Sequence, residues 1–365
     1  MPVKKSRTVT TETPVSLAPT RSENAFYNVP SSPAANLALE FMSAGADLLE
    51  MPQRKQQINH STKIQISGKG DKREITSIAP NHSITLSVAD INKFIGSNKT
   101  AKKMFVLALI KINEQAVFDG KLSRDCVTFP LSELVENGFY KTMQSARKGF
   151  LAGMNALSDI KIGGEFLITA KDKISFVGLH PFRPSFIRNN QCYICLESLF
   201  DWKSLTCFFT ILPQYYFKLS NRAGDLLYYI FYLARQRTKD IEQKGYFTIS
   251  MRAIHNCLYL PDEKESKNPT RDIRAPIDEA LEQIETLHSL YYNNTELSLL
   301  VVGDDITNIS DFLNNGYLKV ELKGAFASPF IDLSKKTKKR IEKNQQQQDK
   351  VKEKAQIGRI LNSKK

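Results

Sequence analysis

Residues 140–157 read YKTMQSARKGFLAGMNAL, and the two sides of this stretch differ in character. On a 3.6-residue repeat, Met143, Ala146, Phe150, Met154 and Leu157 share one face, and Gly153 beside them lets a neighbouring element pack closely. The other side presents Lys141, Thr142, Gln144, Ser145 and Lys148, with Arg147 at its margin, and no acidic residue interrupts it before Asp159. A merely solvated face usually mixes signs, because a Glu four residues from a Lys adds a few tenths of a kcal/mol. A face made only of donors suits phosphates and base edges. Chance basicity in a basic chain is the competing explanation, and the place of the helix among its neighbours has to decide.

Working outward, KIQIS, a GKGDK turn and REITSI read as a hairpin. SVADINKFIG predicts a short helix capped by Ser87, and TAKKMFVLALIKINEQ a longer buried one. A short strand around VTF, a helix PLSELVENG initiated by Pro130, and a turn at Gly138 lead into residues 140–157. FLITA and KISFVG then form two strands joined at Lys171-Asp172-Lys173. Helix, strand, helix, turn, helix and a two-strand hairpin is the order of a winged helix-turn-helix, whose third helix enters the major groove while the hairpin touches flanking backbone. Lys171 and Lys173 are therefore candidate wing contacts.

The order recurs downstream. NRAGDLLYYIFYLARQR is a buried first helix, YFTIS a strand, SMRAIHNCLYLP a second helix closed by Pro261, and RDIRAPIDEALEQIETLHSL a third. LSLLVVGD and GYLKVELKG supply two more strands. Lys264, Lys267, Arg271 and Arg274 precede Pro276, and Asp278 and Glu279 follow it. Proline with acids just behind it marks a helix start, so the third helix begins near Ala275 with the basic residues on the loop before it. Alternatively it begins near Thr270 and is kinked. Either way Lys267, Arg271 and Arg274 are the candidate DNA contacts of this half. CYICLESLF and CFFTILPQYY read as strands between the halves.

The expected fold class is α+β, with two tandem winged helix-turn-helix domains. Residues 1–57 form a mostly disordered Ser/Thr/Pro/Ala-rich extension with a short amphipathic helix around NLALEFMSAGADLLEM. The first winged unit covers 58–182, bridging strands 183–219, the second winged unit 220–325, and a basic flexible or helical tail 326–365.

Charge supports a polyanionic partner. Lys+Arg total 51 against 38 Asp+Glu, a formal +13, and from Ser334 onward twelve Lys/Arg face three Asp/Glu. Each phosphate neutralised releases a counterion. The longest apolar run, LLYYIFYLA at 226–234, falls well short of the roughly twenty residues a membrane span needs. MPVKKSRTVTTETP carries no apolar run of the signal-peptide kind, and five scattered cysteines suit a reducing compartment, so a cytoplasmic protein without a membrane partner is expected.

Catalytic signatures are absent from the sequence. Cys192-Tyr-Ile-Cys195 has no second Cys or His pair to complete a zinc site, and in an extended segment its thiols face opposite sides. The chain has no GxxxxGK[ST] loop and no His-x-His pair among its five histidines. No enzyme activity, metal or cofactor is expected.

Over roughly 80–325, YFKLSNRAGDLLYYIFYLAR and TISMRAIHNCLYLP followed by RDIRAPIDEALEQIE resemble the plasmid replication initiators built from two tandem winged helices, the RepA/RepE-like group. The resemblance implies a protein that binds repeated double-stranded DNA sites at an origin and helps open it. It also implies recruitment of host replication proteins (a helicase or initiator), autoregulation of its own gene, and a homodimeric form. On that pattern Lys141, Gln144, Ser145 and Lys148 match the first recognition helix, and Arg271 and Arg274 the start of the second. A winged-helix transcriptional regulator and a non-specific DNA-binding structural protein are the competing readings.

Overall fold

The computed structural model describes residues 26–31, 55–59, 62–67, 74–79, 82–88, 91–119, 126–169, 172–180, 182–195, 208–292, 296–332 and 334–335. These mix helix and sheet, as the α+β class requires. The candidate amphipathic helix around 36–51 and the basic tail beyond 335 lie outside the described residues.

Five strands come first: β1 (Phe26–Ser31), β2 (Lys55–Asn59), β3 (Thr62–Ser67), β4 (Glu74–Ala79) and β5 (His82–Val88). Strand β1 and the first residues of β2 fall within the extension 1–57, and β1 carries buried Phe26 and Val29 into the core. The hairpin β3–β4 pairs as the alternation predicts. Ser87 does not cap a helix, because HSITLSV alternates polar and apolar and forms β5. The two expected helices behind it are one, α1 (Ile91–Asp119), uninterrupted by proline.

The middle of α1 is apolar almost all round, and Met104 through Ile110 are buried on every side. Lys102 and Lys111 are buried too, and Lys111 pairs with Glu114 at 2.7 Å and with Glu133. Then follow β6 (Cys126–Pro130), the short α2 (Glu133–Glu136) and α3 (Met143–Ser158). Pro130 ends β6 and does not start a helix. Gly138, at φ +77°, makes the turn that aims α3.

The hairpin after α3, β7 (Ile160–Thr169) with β8 (Asp172–Leu179), pairs as expected. It is not free-standing, however. It completes a six-stranded sheet of order β2-β3-β4-β5-β7-β8, with β5 antiparallel to β7. The strand that pairs with β6 comes later: β9 (Phe186–Arg188) and β10 (Gln191–Cys195) form the three-stranded sheet β6-β10-β9. CYIC thus closes the first half's own sheet, while β11 (Phe208–Pro213) pairs with β1, so neither strand bridges the halves by pairing.

A 3-10 turn (Gln214–Lys218) leads to α4 (Asn221–Gln236), α5 (Thr238–Lys244), β12 (Tyr246–Ser250) and α6 (Met251–Cys257). Ser220 and Ser250 cap α4 and α6, accepting from the amides of Ala223 and Ala253. Helix α6 ends before Pro261, where Tyr259 takes a left-handed φ of 50°. A π-helical turn (Thr270–Arg274) runs directly into α7 (Ala275–Tyr291), so the α-helix starts at Ala275 as expected, while Arg271 and Arg274 sit on a helical turn rather than a loop. Strand β13 (Leu297–Val302), α8 (Ile309–Asn315) and β14 (Tyr317–Leu322) complete the sheet β12-β14-β13.

The two three-stranded sheets share one connectivity. In each, the earliest strand pairs with the last strand, and the penultimate strand takes the edge beyond it. The halves are also joined side by side. Lys102 forms an ion pair with Asp225, Lys103 donates to the carbonyls of Phe217 (3.3 Å) and Leu219 (3.1 Å), and Phe139 stacks on Phe217 at 3.8 Å. Burial lowers the pKa of the Lys103 ammonium, and Asp225 partly restores it.

Candidate nucleic-acid interface

Helix α3 is held by its apolar face: Ala146, Phe150, Met154 and Leu157 are buried completely. A Cβ on Gly153 would sit 2.5 Å from Met104 Cγ, so glycine is what lets α1 and α3 approach. Met143, placed on that face by periodicity, instead lies at the helix start and is 41% exposed.

The N-terminus of α3 is closed by a capping box. Thr142 Oγ1 accepts from the Ser145 amide and Ser145 Oγ from the Thr142 amide, both at 3.2 Å. Thr142 and Ser145 therefore spend hydroxyl capacity on the helix itself. Lys141, Gln144, Arg147 and Lys148 are exposed beside them. The structure brings these four together with residues that periodicity missed. Arg147 Nη2 donates to Asn190 Oδ1 at 3.1 Å, and the Leu131 amide donates to the Asn190 carbonyl at 2.8 Å. Asn189 and Asn190, at φ 51° and 57°, form the two-residue turn between β9 and β10. Left-handed φ at both central positions is the hairpin turn that matches strand twist, and an Asn-Asn pair was its available sequence signal. Exposed Arg188 precedes the turn.

Lys173 lies elsewhere, in β8 opposite Leu167 within the six-stranded sheet. Lys171 lies outside the described residues. The hairpin adjoining α3 is thus β9–β10, and the expected wing at 171–173 belongs to a different sheet. The reason is pairing partner: β7 finds β5, leaving β6 to β10.

In the second half Lys267, just ahead of the π turn, and Arg271, on it, are exposed. Arg271 Nε reaches Asp272 Oδ1 at 2.9 Å, and that hydrogen bond, with one from Ser266, lowers the Asp272 pKa. Arg274 turns inward. It donates from Nη1 to the Ile306 carbonyl at 2.8 Å and from Nη2 to Asp304 Oδ1 at 2.5 Å, over the Phe312 ring at 4.8 Å. Asp278 completes the cluster at 3.6 Å, its pKa raised by burial against the opposing pull of Arg274. In both halves, then, an arginine of the third helical segment is tied to the link between the last two sheet strands.

Cys192 is fully buried, and burial pushes its thiol up to about 12, so the CxxC spacing does not present a metal-ready thiolate. Among the described residues no group of three His, Cys, Asp or Glu side chains is placed to hold a metal ion. Likewise no helix among them is long and apolar enough to cross a membrane.

No protein-family model matches the chain, and no curated protein sequence matches it. Among solved structures, a crystal structure of domains 2 and 3 of RctB (selenomethionine derivative) is similar at 9% identity and a TM-score of 0.37, covering 78% of this chain and 98% of that one. A second crystal structure of RctB domains 2–3 is similar at 9% identity and a TM-score of 0.35, covering 76% and 95%. At these values the likeness carries neither fold nor function across to this chain.

Proposed function

We propose that this protein is a sequence-specific double-stranded DNA-binding protein of the replication-initiator kind, with two tandem winged helices and no catalytic step of its own. The carrying observation is the repeated sheet order, β6-β10-β9 and β12-β14-β13, each with an arginine (Arg147 of α3, Arg274 at the entry to α7) fastened to the adjacent strand link. In this reading α3 and the start of α7 enter successive major grooves, and β9–β10 is the first wing. Lys141, Gln144, Lys148, Lys267 and Arg271 grip or read DNA, with Thr142 and Ser145 fixing the helix start. Arg147 and Arg274 position the wings. Lys171 and Lys173 stay candidates only for a contact outside these two units. The formal +13 supports phosphate contact.

The choice of initiator rests on the resemblance of segments 216–235, 248–261 and 271–285 to two-unit plasmid initiators. Recruitment of a host helicase or initiator, a repressing homodimer and autoregulation belong to the same proposal. Footprinting on the surrounding genetic element tests it. Protection of an array of repeats of roughly twenty base pairs beside an AT-rich tract supports the initiator, since two modules each cover about one helical turn. Protection of a promoter alone makes it a regulator, and uniform coverage without preference overturns sequence-specific binding.

A further inference from the structure

Strands β6 and β10 run antiparallel with Cys126 directly opposite Cys195, and the two sulfurs lie 2.8 Å apart. Cys192 and Ile194 point into the core, so Cys195, odd in the alternation with Gln191 and Tyr193, shares the outer face with Cys126. The two thiols differ in access: Cys126 is half-buried, whereas Cys195 is 8% exposed. Directly opposed residues of antiparallel strands hold their Cα atoms about 4.5–5.5 Å apart. A disulfide accepts about 4.4–6.8 Å, so a bond can close here without moving backbone. Cys192 is sealed in the core, and the Cys257 thiol faces the Asp225 carbonyl at 3.9 Å.

We propose that Cys126 and Cys195 form a reversible disulfide on exposure to peroxides, stapling β10 to β6. The more accessible Cys126 thiolate attacks one peroxide oxygen, giving a sulfenic acid and, after protonation, one water. The Cys195 sulfur then attacks the Cys126 sulfur, its proton leaves with the sulfenic hydroxyl as a second water, and the S–S bond forms. Two thiols lose two electrons and two protons, and one hydrogen peroxide becomes two waters. A dithiol reductant reverses the step and is itself oxidised to a disulfide. The strand so fixed starts one residue after Asn190, the partner of Arg147. The inference does not depend on the DNA reading.

The test uses the full-length native protein, titrated with hydrogen peroxide, quenched by alkylation and mapped by peptide mass spectrometry. The expected product is one intramolecular link between the Cys126 and Cys195 peptides, about 2 Da lighter than the sum of the reduced pair and restored by dithiothreitol. Cys257→Ser keeps the link, and Cys126→Ser or Cys195→Ser abolishes it. Separate alkylation or over-oxidation of Cys126 and Cys195, or a link from either to another cysteine, overturns the proposal. Because the wild-type map decides the outcome, a variant that fails to fold does not.

Discussion

Arg147 on the exposed side of α3 and Asn190 at the tip of the β9–β10 hairpin are joined by a 3.1 Å hydrogen bond. Forty-three residues separate them in the chain, and the bond sets the hairpin tip against the helix that carries Lys141, Gln144 and Lys148. Asn190 also holds the Leu131 amide through its carbonyl, so its backbone is fixed independently of its side chain. Replacing Asn190 with Gly keeps the left-handed φ of 57° and removes only the side-chain acceptor. A net bond of about 1 kcal/mol predicts a roughly fivefold loss of affinity for the specific site with little change on random DNA. Fluorescence anisotropy on the two DNAs checks the ratio.

Lys148 is exposed and free of acidic neighbours on its own helix. If it grips a phosphate, Lys148→Ala lowers the slope of log affinity against log salt by about one contact and weakens binding to all sequences alike. Gln144→Ala should instead erode discrimination between bases and leave the salt slope unchanged. A salt titration of both variants separates the roles, and an unchanged slope for Lys148→Ala removes it from the interface.

At Gly153, α3 packs directly against Met104 and Thr100 of α1. Gly153→Val puts branched carbon where Met104 Cγ already stands 2.5 Å from an added Cβ, and nearby Thr100 leaves little room to yield. Overpacking of this kind costs about 1–3 kcal/mol, read as a lower urea midpoint. Phe150→Ala, which removes a fully buried ring set against Phe129, should cost about 3–5 kcal/mol by leaving a cavity.

Arg271 and Arg274, three residues apart, are expected to fail differently. Arg274 is 17% exposed and satisfies Asp304, Ile306 and Asp278, so Arg274→Ala should cost about 1–3 kcal/mol of stability before any DNA is added. Arg271, 75% exposed, should change stability by under about 0.5 kcal/mol when replaced by Ala and lose DNA affinity instead. Chemical denaturation beside a binding assay distinguishes them. A double-mutant cycle with Asp304→Ala gives the coupling at the second strand link.

Burial holds the Tyr140 phenol up to about 12, above its ordinary 10.0, and raises Tyr216 as well. Between pH 10 and about 12 the unfolded chain sheds a proton that folded Tyr140 keeps, so the native state binds more protons and stability falls as pH rises. Tyr140→Phe should flatten that decline. Lys103, whose lowered pKa works in the opposite sense below 10.5, is common to both proteins and cancels in the comparison. Urea midpoints at several alkaline pH values give the slopes.

Helices α3, α4 and α7 and strands β12, β13 and β14 were legible because each carries a long, one-sided apolar pattern. Partner choice was not legible. FLITA and KISFVG announce two strands, but nothing in them says that β7 will lie against β5, more than seventy residues earlier. Strand β9 is three residues long, too short for alternation to register, so the hairpin adjoining α3 went unseen behind the louder one at 160–179. The fate of Arg274 was hidden for a related reason. Its sequence neighbours Arg271 and Lys267 look equivalent, and only the fold brings Asp304 and Ile306 within its reach. The Thr142–Ser145 spacing is itself the sequence signal of the capping box that closes α3.

The ion pair of Lys102 with Asp225, both side chains at most 14% exposed, sits at the seam between the halves. Removing one member of a buried pair strands the other at a cost of about 3–5 kcal/mol, so the seam is not a hinge that opens on demand. For a protein reading two stretches of one duplex, this makes the molecule a gauge of helical phase. Shifting one recognised stretch by about five base pairs turns it to the opposite side of the DNA. Two units on a slack tether would follow the displaced stretch around the duplex; two units welded at Lys102 and Asp225 must let it go.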